Sequence, residues 1–297
     1  MNILSAKAIH MLTPKFQSEG IKIMSLLTVN QEKCERDGIC VEVCPVRIIE
    51  FKDKDAYPTL IDGGDKLCIR CGQCVAVCPH GAMSHEIMKS EECPPVNDDW
   101  LFVPEQVEHF MRYRRSIRNY RKKQVEQKIL EKLINVARFA PSGHNLQPVK
   151  WLVIKDRNEV QRLAGFVIDW MRHLIEEDSP LVAAMHLNRV VSFWEEGHDP
   201  ICRNAPYVIV AHAHKDDRTA PVACTIALTY LELAAPAFEL GACWAGYFNA
   251  AATLWPPLQQ ELGFPDENIN FGAMMVGYPK FKYHRLPLRN DAEIIWR

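Results

Sequence analysis

Cys68-Ile69-Arg70-Cys71-Gly72-Gln73-Cys74-Val75-Ala76-Val77-Cys78-Pro79 sets four cysteines at the spacing C-x2-C-x2-C-x3-C-P. Three thiolates on one tight loop suit three irons of a cubane, and the fourth, offset by the start of a helix, points toward a second cluster. Structural zinc instead takes two ligand pairs separated by a longer stretch, so this spacing reads as iron–sulfur. Upstream lies an imperfect copy, Cys34-Glu35-Arg36-Asp37-Gly38-Ile39-Cys40-Val41-Glu42-Val43-Cys44-Pro45. The two runs share a glycine (Gly38, Gly72) and a Cys-Val-x-Val-Cys-Pro ending, but Asp37 stands where the second cysteine would be. An internal repeat of this kind implies a pseudo-twofold module for electron relay.

The duplicated run resembles the bacterial two-cluster ferredoxins over about residues 28–90. Their crossed ligation, carried over residue by residue, implies that Cys68, Cys71, Cys74 and Cys44 hold one 4Fe-4S cluster and that Cys34, Cys40 and Cys78 hold the other. Asp37 leaves two readings open. A hard carboxylate grips iron less firmly than a thiolate, which would make that corner exchangeable or leave a 3Fe-4S cluster; alternatively, Asp37 is a turn residue beside Gly38.

The remaining sequence must supply the electron acceptor. At 297 residues the chain is long enough for two domains. Seven of its 11 cysteines fall between Cys34 and Cys78; Cys93, Cys202, Cys224 and Cys243 are scattered. Clustered cysteines argue against a disulfide-stapled secreted protein. A net charge of -2 argues against a nucleic-acid partner. The first 20 residues lack the apolar core and cleavage site of a secretory signal, so a cytoplasmic location is expected. Residues 1–27 read as an ill-defined extension, with Met24 a candidate alternative start. The apolar run Val222–Leu240 carries Glu232, Pro236 and Glu239, and therefore reads as a buried helix, not a membrane span.

Residues 91–104, EECPPVNDDWLFVP, read as a linker because their prolines and acids suit neither a helix nor a central strand. The domain at 105–297 is expected to be α+β, a mixed sheet flanked by helices. Residues 105–118 place Val107, Phe110 and Met111 at helical spacing before ending in a basic run; further helices are expected over 125–139, 157–176, 181–196 and 219–240, and strands over 149–154, 207–213, 242–248 and 271–277. On 125–139 the apolar stripe is Ile129, Leu133, Val136 and Ala140. The basic run Arg114-Arg115-Ser116-Ile117-Arg118 reads as a solvated helix end or an anion patch, with Ser116 and Tyr120 favouring a phosphate or flavin contact. Neither G-x-G-x-x-G after a strand nor a P-loop is present. His144, His212, His214 and His284 show no metal-ligand spacing, and no nucleophile set can be assembled.

Taken in order, RRSIR (114–118), APSGHNLQP (140–148), GACWAGYF (241–248) and GYPKFKYHRLPLR (277–289) resemble the FMN-dependent nitroreductase superfamily, in the branch with an N-terminal two-cluster ferredoxin domain. The resemblance implies that Arg114, Arg115, Ser116 and Arg118 grip the FMN phosphate and the pyrimidine side of the ring. It implies that Pro141, Ser142 and Gly143, with Asn145 and Gln147 nearby, reach the flavin from a partner subunit. Ala245 and Gly246 would present backbone N–H groups to the flavin N5 edge, and Arg285 would bind phosphate, with Lys280 and Arg289 as other candidates. It further implies a homodimer with FMN at the interface, in which 292–296 forms a strand that crosses to the partner sheet. Reduced ferredoxin or NAD(P)H would be the donor. A nitroaromatic, quinone or activated alkene would be the acceptor. Two other readings are an electron carrier serving a protein partner and a redox sensor built on the Asp37 cluster.

Overall fold

The computed structural model describes residues 25–265 and 267–297. The expected N-terminal extension, with Met24, lies outside these apart from its last residues. The chain divides into two compact units, with the division between Val96 and Asn97.

The first unit runs β1 (Leu27–Val29), α1 (Ile39–Glu42), β2 (Ile49–Glu50), β3 (Thr59–Leu60), α2 (Gly64–Leu67), α3 (Gln73–Ala76) and β4 (Met83–His85). β1 pairs antiparallel with β4, bringing the two ends of the unit together, and β2 pairs with β3 at its middle. α1 and α3 each begin after a glycine in the left-handed region, Gly38 at φ 79° and Gly72 at φ 74°. That conformation is nearly free for glycine and costly for a side chain, so both sequence copies carry glycine just ahead of their middle cysteine. The core is small: Leu27, Ile48, Ile49, Val75 and Met83 pack around Cys40 and Cys44. So little apolar burial suits a domain that depends on a bound metal group for much of its stability.

The second unit runs α4 (Pro104–Tyr113), α5 (Gln127–Ala137), β5 (Lys150–Ile154), α6 (Arg157–Glu176), α7 (Leu181–Ala184), α8 (Leu187–Glu195), β6 (Tyr207–His214), α9 (Ala220–Ala234), β7 (Gly241–Trp244), α10 (Gly246–Leu254), α11 (Pro256–Leu262) and β8 (Asn268–Gly277). The sheet order is β5-β6-β8-β7. Side chains alternate across it: Val208 and Val210 enter a core with Leu163, Val167, Ile168 and Met171 of α6 and Phe248 of α10. Ile209 and Ala211 face the opposite way, onto Leu130 and Leu133 of α5 and Cys224, Leu228 and Leu231 of α9. Both faces are covered, which explains the unbroken apolar reading of β6. Each fully buried Leu or Ile contributes about 1.5–3 kcal/mol of burial free energy.

The α+β class is as expected, with several local departures. Every ladder in this sheet is antiparallel, so the parallel pairing of a mixed sheet is not formed among the described strands of the single chain. The buried stripe of α5 is Leu130, Leu133 and Ala137, while Val136 is 41% exposed; the helix is rotated from the expected stripe by the demands of α9. The segment 181–196 splits into α7 and α8 at His186, whose φ of 54° cannot continue a helix. The strand expected through 248 stops at Trp244, and Gly246 already opens α10. Residues 292–296 form no strand here, since an isolated β segment needs a neighbour for its backbone groups, and Ile295 and Trp296 are 85% and 86% exposed. One helical stretch among the described residues, Ala220–Phe238, is long and apolar enough to cross a membrane. It buries Ala223, Cys224, Ala227, Leu228 and Leu231 against the second unit's core.

Candidate functional site

In the first unit two cavities form between the cysteine runs. Cys44, Cys68, Cys71 and Cys74 line one, together with His85. Cys34, Asp37, Cys40 and Cys78 line the other, together with His80. Each set takes three residues from one run and the distal cysteine from the other. Burial first, and then the neighbouring charges of Asp37, Cys34 and Cys78, push the Cys40 thiol up to about 11. Burial, followed by Cys71, Cys68 and Cys44, does the same to Cys74, also to about 11. Crowded thiols of this kind resist ionising without a cation, and a coordinating metal deprotonates them outright. Both donor sets therefore fit iron. Backbone N–H groups already aim at sulfur, Arg70 at Cys68 Sγ (3.4 Å) and Ala82 at Cys78 Sγ (3.3 Å). Asp37 does two things at once: its Oδ1 accepts from the Ile39 N–H at 3.1 Å, as a turn residue would, while the side chain lines the cavity with its Oδ2 4.0 Å from His80 Nε2.

In the second unit the first and last motifs meet. The Ile117 N–H donates to Ala242 O of β7 at 3.0 Å, Arg121 N–H donates to Tyr278 O at 2.9 Å, and Lys280 N–H donates to Asn119 O at 2.9 Å. Tyr120, buried, donates its hydroxyl to Ile117 O at 2.5 Å. Gly241 makes the contact with β7 feasible, because a Cβ there would lie 2.4 Å from Ile117 Cγ1. The cleft so formed is lined by Tyr113, Arg114 and Arg115 beside Glu232 of α9, Gly241, and Phe281 and Tyr283 of the tail. Arg114 donates to Glu232 Oε1 at 2.8 Å, and the Glu232 side chain is 6% exposed. Arg115 donates to Arg112 O, while its Nε is buried without a hydrogen-bond partner. An orphaned guanidinium nitrogen next to a second arginine is what an anionic oxygen would satisfy.

The other expected residues stand elsewhere. Ser116 is half-buried behind this cleft and within reach of the Arg114 guanidinium at 3.5 Å; Arg118 is exposed. Pro141, Ser142 and Gln147 line a separate cavity beside Ala223 and Ala227, nine and five residues from Glu232 along α9. The loop is shaped by Ser142 Oγ, which accepts from the Gln147 N–H at 2.9 Å. Within a single chain, then, Pro141, Ser142, Gly143, Asn145 and Gln147 are not brought to the arginine cleft. The expectation for Ala245 fails in one respect: its N–H donates to Ala273 O at 2.9 Å and so serves the β8 junction. The Gly246 N–H, in the first turn of α10, has no preceding helical carbonyl to bond. Arg285, Lys280 and Arg289 lie on the exposed tail; none of them lines the cleft, whereas Phe281 and Tyr283 do.

The Nitroreductase family model matches residues 111–278. The chain belongs to the nitroreductase family. A 4Fe-4S dicluster domain model matches residues 32–83. An NADH dehydrogenase of Thermus thermophilus is 29% identical over 204 residues, spanning 62% of this chain and 92% of the relative. Ferredoxin-1 of Nitratidesulfovibrio vulgaris is 50% identical over 32 residues, 11% of this chain and 52% of that protein. Among solved structures, a Bacteroides fragilis nitroreductase with bound FMN aligns with a TM-score of 0.52 at 19% identity, covering 65% of this chain and 99% of that one, a likeness of fold. This nitroreductase-family protein is thus an oxidoreductase with an iron–sulfur domain at its N-terminal side. Sequence reading missed Tyr113, Glu232, Phe281 and Tyr283 as lining residues. Glu232 had a usable signal, a lone carboxylate inside an apolar helix, which was read only as evidence against a membrane span.

Proposed function

We propose that the protein is an iron–sulfur flavoprotein that takes low-potential electrons at two clusters and passes them through FMN to a small organic acceptor. The observation that carries this reading is the convergence of residues 113–117, 241–242 and 279–283, remote in sequence, on one cleft holding two arginines. A phosphate group suits these arginines, Arg115 in particular, since guanidinium and phosphate make charge-assisted, paired hydrogen bonds. Arg285 and Arg118 are the further cations able to close on the bound cofactor. When bound, FMN supplies the hydride or single-electron chemistry, and the protein supplies orientation and electrostatics.

Cys44, Cys68, Cys71 and Cys74 would hold one 4Fe-4S cluster. Cys34, Cys40 and Cys78 would hold the second, with Asp37 at its weak corner, where a three-iron form is the expected alternative. A homodimer with FMN at the interface is supported by the bare apolar surface of the second unit: Trp100, Phe102, Phe139, Val222, Leu288 and Trp296 are each more than 60% exposed in the single chain. In that assembly Pro141, Ser142 and Gly143 would complete the partner's site. The donor would be reduced ferredoxin or NAD(P)H, the acceptor a nitroaromatic, quinone or activated alkene, and the setting the cytoplasm.

The test is anaerobic reconstitution with iron, sulfide and FMN, followed by a matrix of NADH, NADPH and reduced ferredoxin against these acceptors. Saturable turnover by at least one pair is expected. Failure to retain flavin or iron after desalting would contradict the proposal.

A further inference from the structure

A cavity of about 400 Å³ lies on the second unit between α8, the 200–203 loop and the start of α10. Its lining is His186, Arg189, Val190, Phe193, Pro200, Arg203 and Tyr247. Such a volume falls in the range of small-molecule sites. Its chemistry is one-sided, with two arginines and a histidine around an apolar and aromatic floor and no carboxylate in the lining. Among the described residues, neither Arg189 nor Arg203 has an ion-pair or hydrogen-bonded side-chain partner.

The walls are built with care. Arg203 and Asn204 both sit in the left-handed region, at φ 56° and 54°. This conformation is uncommon for a residue such as arginine, though asparagine adopts it readily. Buried Asp199 ties this loop together, its carboxylate accepting from the N–H groups of Ile201 (3.0 Å), Cys202 (2.8 Å) and Asn204 (2.8 Å). That carboxylate is committed to the loop and does not line the cavity. On the opposite wall the Tyr247 hydroxyl donates to Met185 O at 3.1 Å, clamping the first turn of α10 to the α7–α8 link where His186 turns the chain. Tyr247 directly follows Gly246, the residue whose backbone N–H is expected to face the flavin.

We propose that this cavity binds the carboxylate or phosphate of the small organic molecule that exchanges electrons with the protein. The two guanidinium groups of Arg189 and Arg203 at one cavity repel each other, and an anion with an apolar or aromatic body relieves that repulsion while covering Phe193 and Val190. The role as an electron-exchange subsite rests on the flavin reading above; the binding of an anion does not.

Equilibrium binding to the reconstituted full chain separates the two. Two matched probe pairs are titrated calorimetrically, 4-nitrobenzoate with 4-nitrotoluene and the non-reducing NADP+ with NAD+, against wild type, Arg189→Gln and Arg203→Gln. Flavin content is read from absorbance in the same samples, and folding from circular dichroism. The wild type is expected to favour the more anionic member of at least one pair by about tenfold, and each substitution to remove most of that preference. Preference within the nitro pair assigns the acceptor, and preference within the nucleotide pair assigns the donor. If the protein retains no flavin after reconstitution but still shows the preference, the anion site stands and the flavin reading falls. Equal affinities within both pairs for the wild type, or folded variants that keep the full preference, overturn the proposal.

Discussion

Gly241→Ala tests how the cleft is held together. The new methyl group would lie 2.4 Å from Ile117 Cγ1, 2.7 Å from its Cβ and 2.9 Å from its Cγ2. Carbon atoms in contact prefer about 3.5–4.0 Å, so Ile117 must retreat by on the order of 0.8 Å even if only its Cβ is considered. Cβ moves with the backbone, and rotamer change cannot relieve that contact. Ile117 is buried, and a shift of that size stretches the 3.0 Å bond from its N–H to Ala242 O beyond hydrogen-bond range. Overpacking of about 1–3 kcal/mol plus about 1 kcal/mol for the lost bond gives a destabilisation of about 2–4 kcal/mol. Arg114, Arg115 and Ser116 precede Ile117 directly and move with it, so FMN affinity is expected to fall about 10- to 100-fold, equivalent to about 1.4–2.7 kcal/mol. Urea unfolding of the flavin-free protein and flavin-fluorescence titration measure the two effects. A variant with unchanged stability and unchanged flavin affinity would refute the view that packing of Ile117 on β7 positions the arginines.

Other consequences are as direct. Asp37→Cys supplies a fourth thiolate to Cys34, Cys40 and Cys78, so iron per chain should rise toward eight and any three-iron electron paramagnetic resonance signal of the wild type should vanish; an unchanged spectrum and iron content would leave Asp37 as a turn residue only. Burial first, and Lys150 second, hold the pKa of His212 below its usual value, and its Nδ1 faces the Asn268 amide nitrogen at 3.1 Å, as in neutral imidazole. The unfolded chain therefore binds this proton first, and thermal stability should fall as pH drops below about 6.5. In His212→Gln that step should flatten; a wild-type melting temperature constant from pH 7.5 to 5 would argue against it. Truncation after Asp291 removes the exposed segment expected to pair with a partner sheet, and size-exclusion chromatography should show loss of dimer and of flavin, whereas a stable flavin-loaded monomer would rule that pairing out.

How much could be read from sequence varied with the distance over which each feature is specified. The two cysteine runs were legible because chelation fixes residue spacing within a dozen positions, and Gly38 and Gly72 mark the same turn twice, whereas the crossed pairing of the runs followed only from the resemblance to two-cluster ferredoxins. β6 was legible because burial on both faces writes an apolar run, and α6 because Asp156 caps it through the Asn158 and Glu159 N–H groups. α10 was not, since Trp244-Ala245-Gly246-Tyr247-Phe248 has the composition of a strand and only the antiparallel end of β7 against Met274 stops it. The face of α5 was misjudged because Ile129 and Leu130 are equally apolar, and the choice between them is made by α9. Least legible were the pairings between remote positions: Arg114 and Glu232 are 118 residues apart, and nothing local announces that they meet. The Arg189 and Arg203 cavity likewise depends on a loop turned by Asp199, a carboxylate indistinguishable in sequence from any surface acid.

The account depends on charge moving between two cofactors within one chain. Anaerobic photoreduction of the reconstituted protein, with absorbance followed at cluster and flavin wavelengths, addresses this directly. The account predicts that reduction of the clusters is followed by bleaching of the flavin without any added mediator. Clusters that become reduced while the flavin stays oxidised would contradict it.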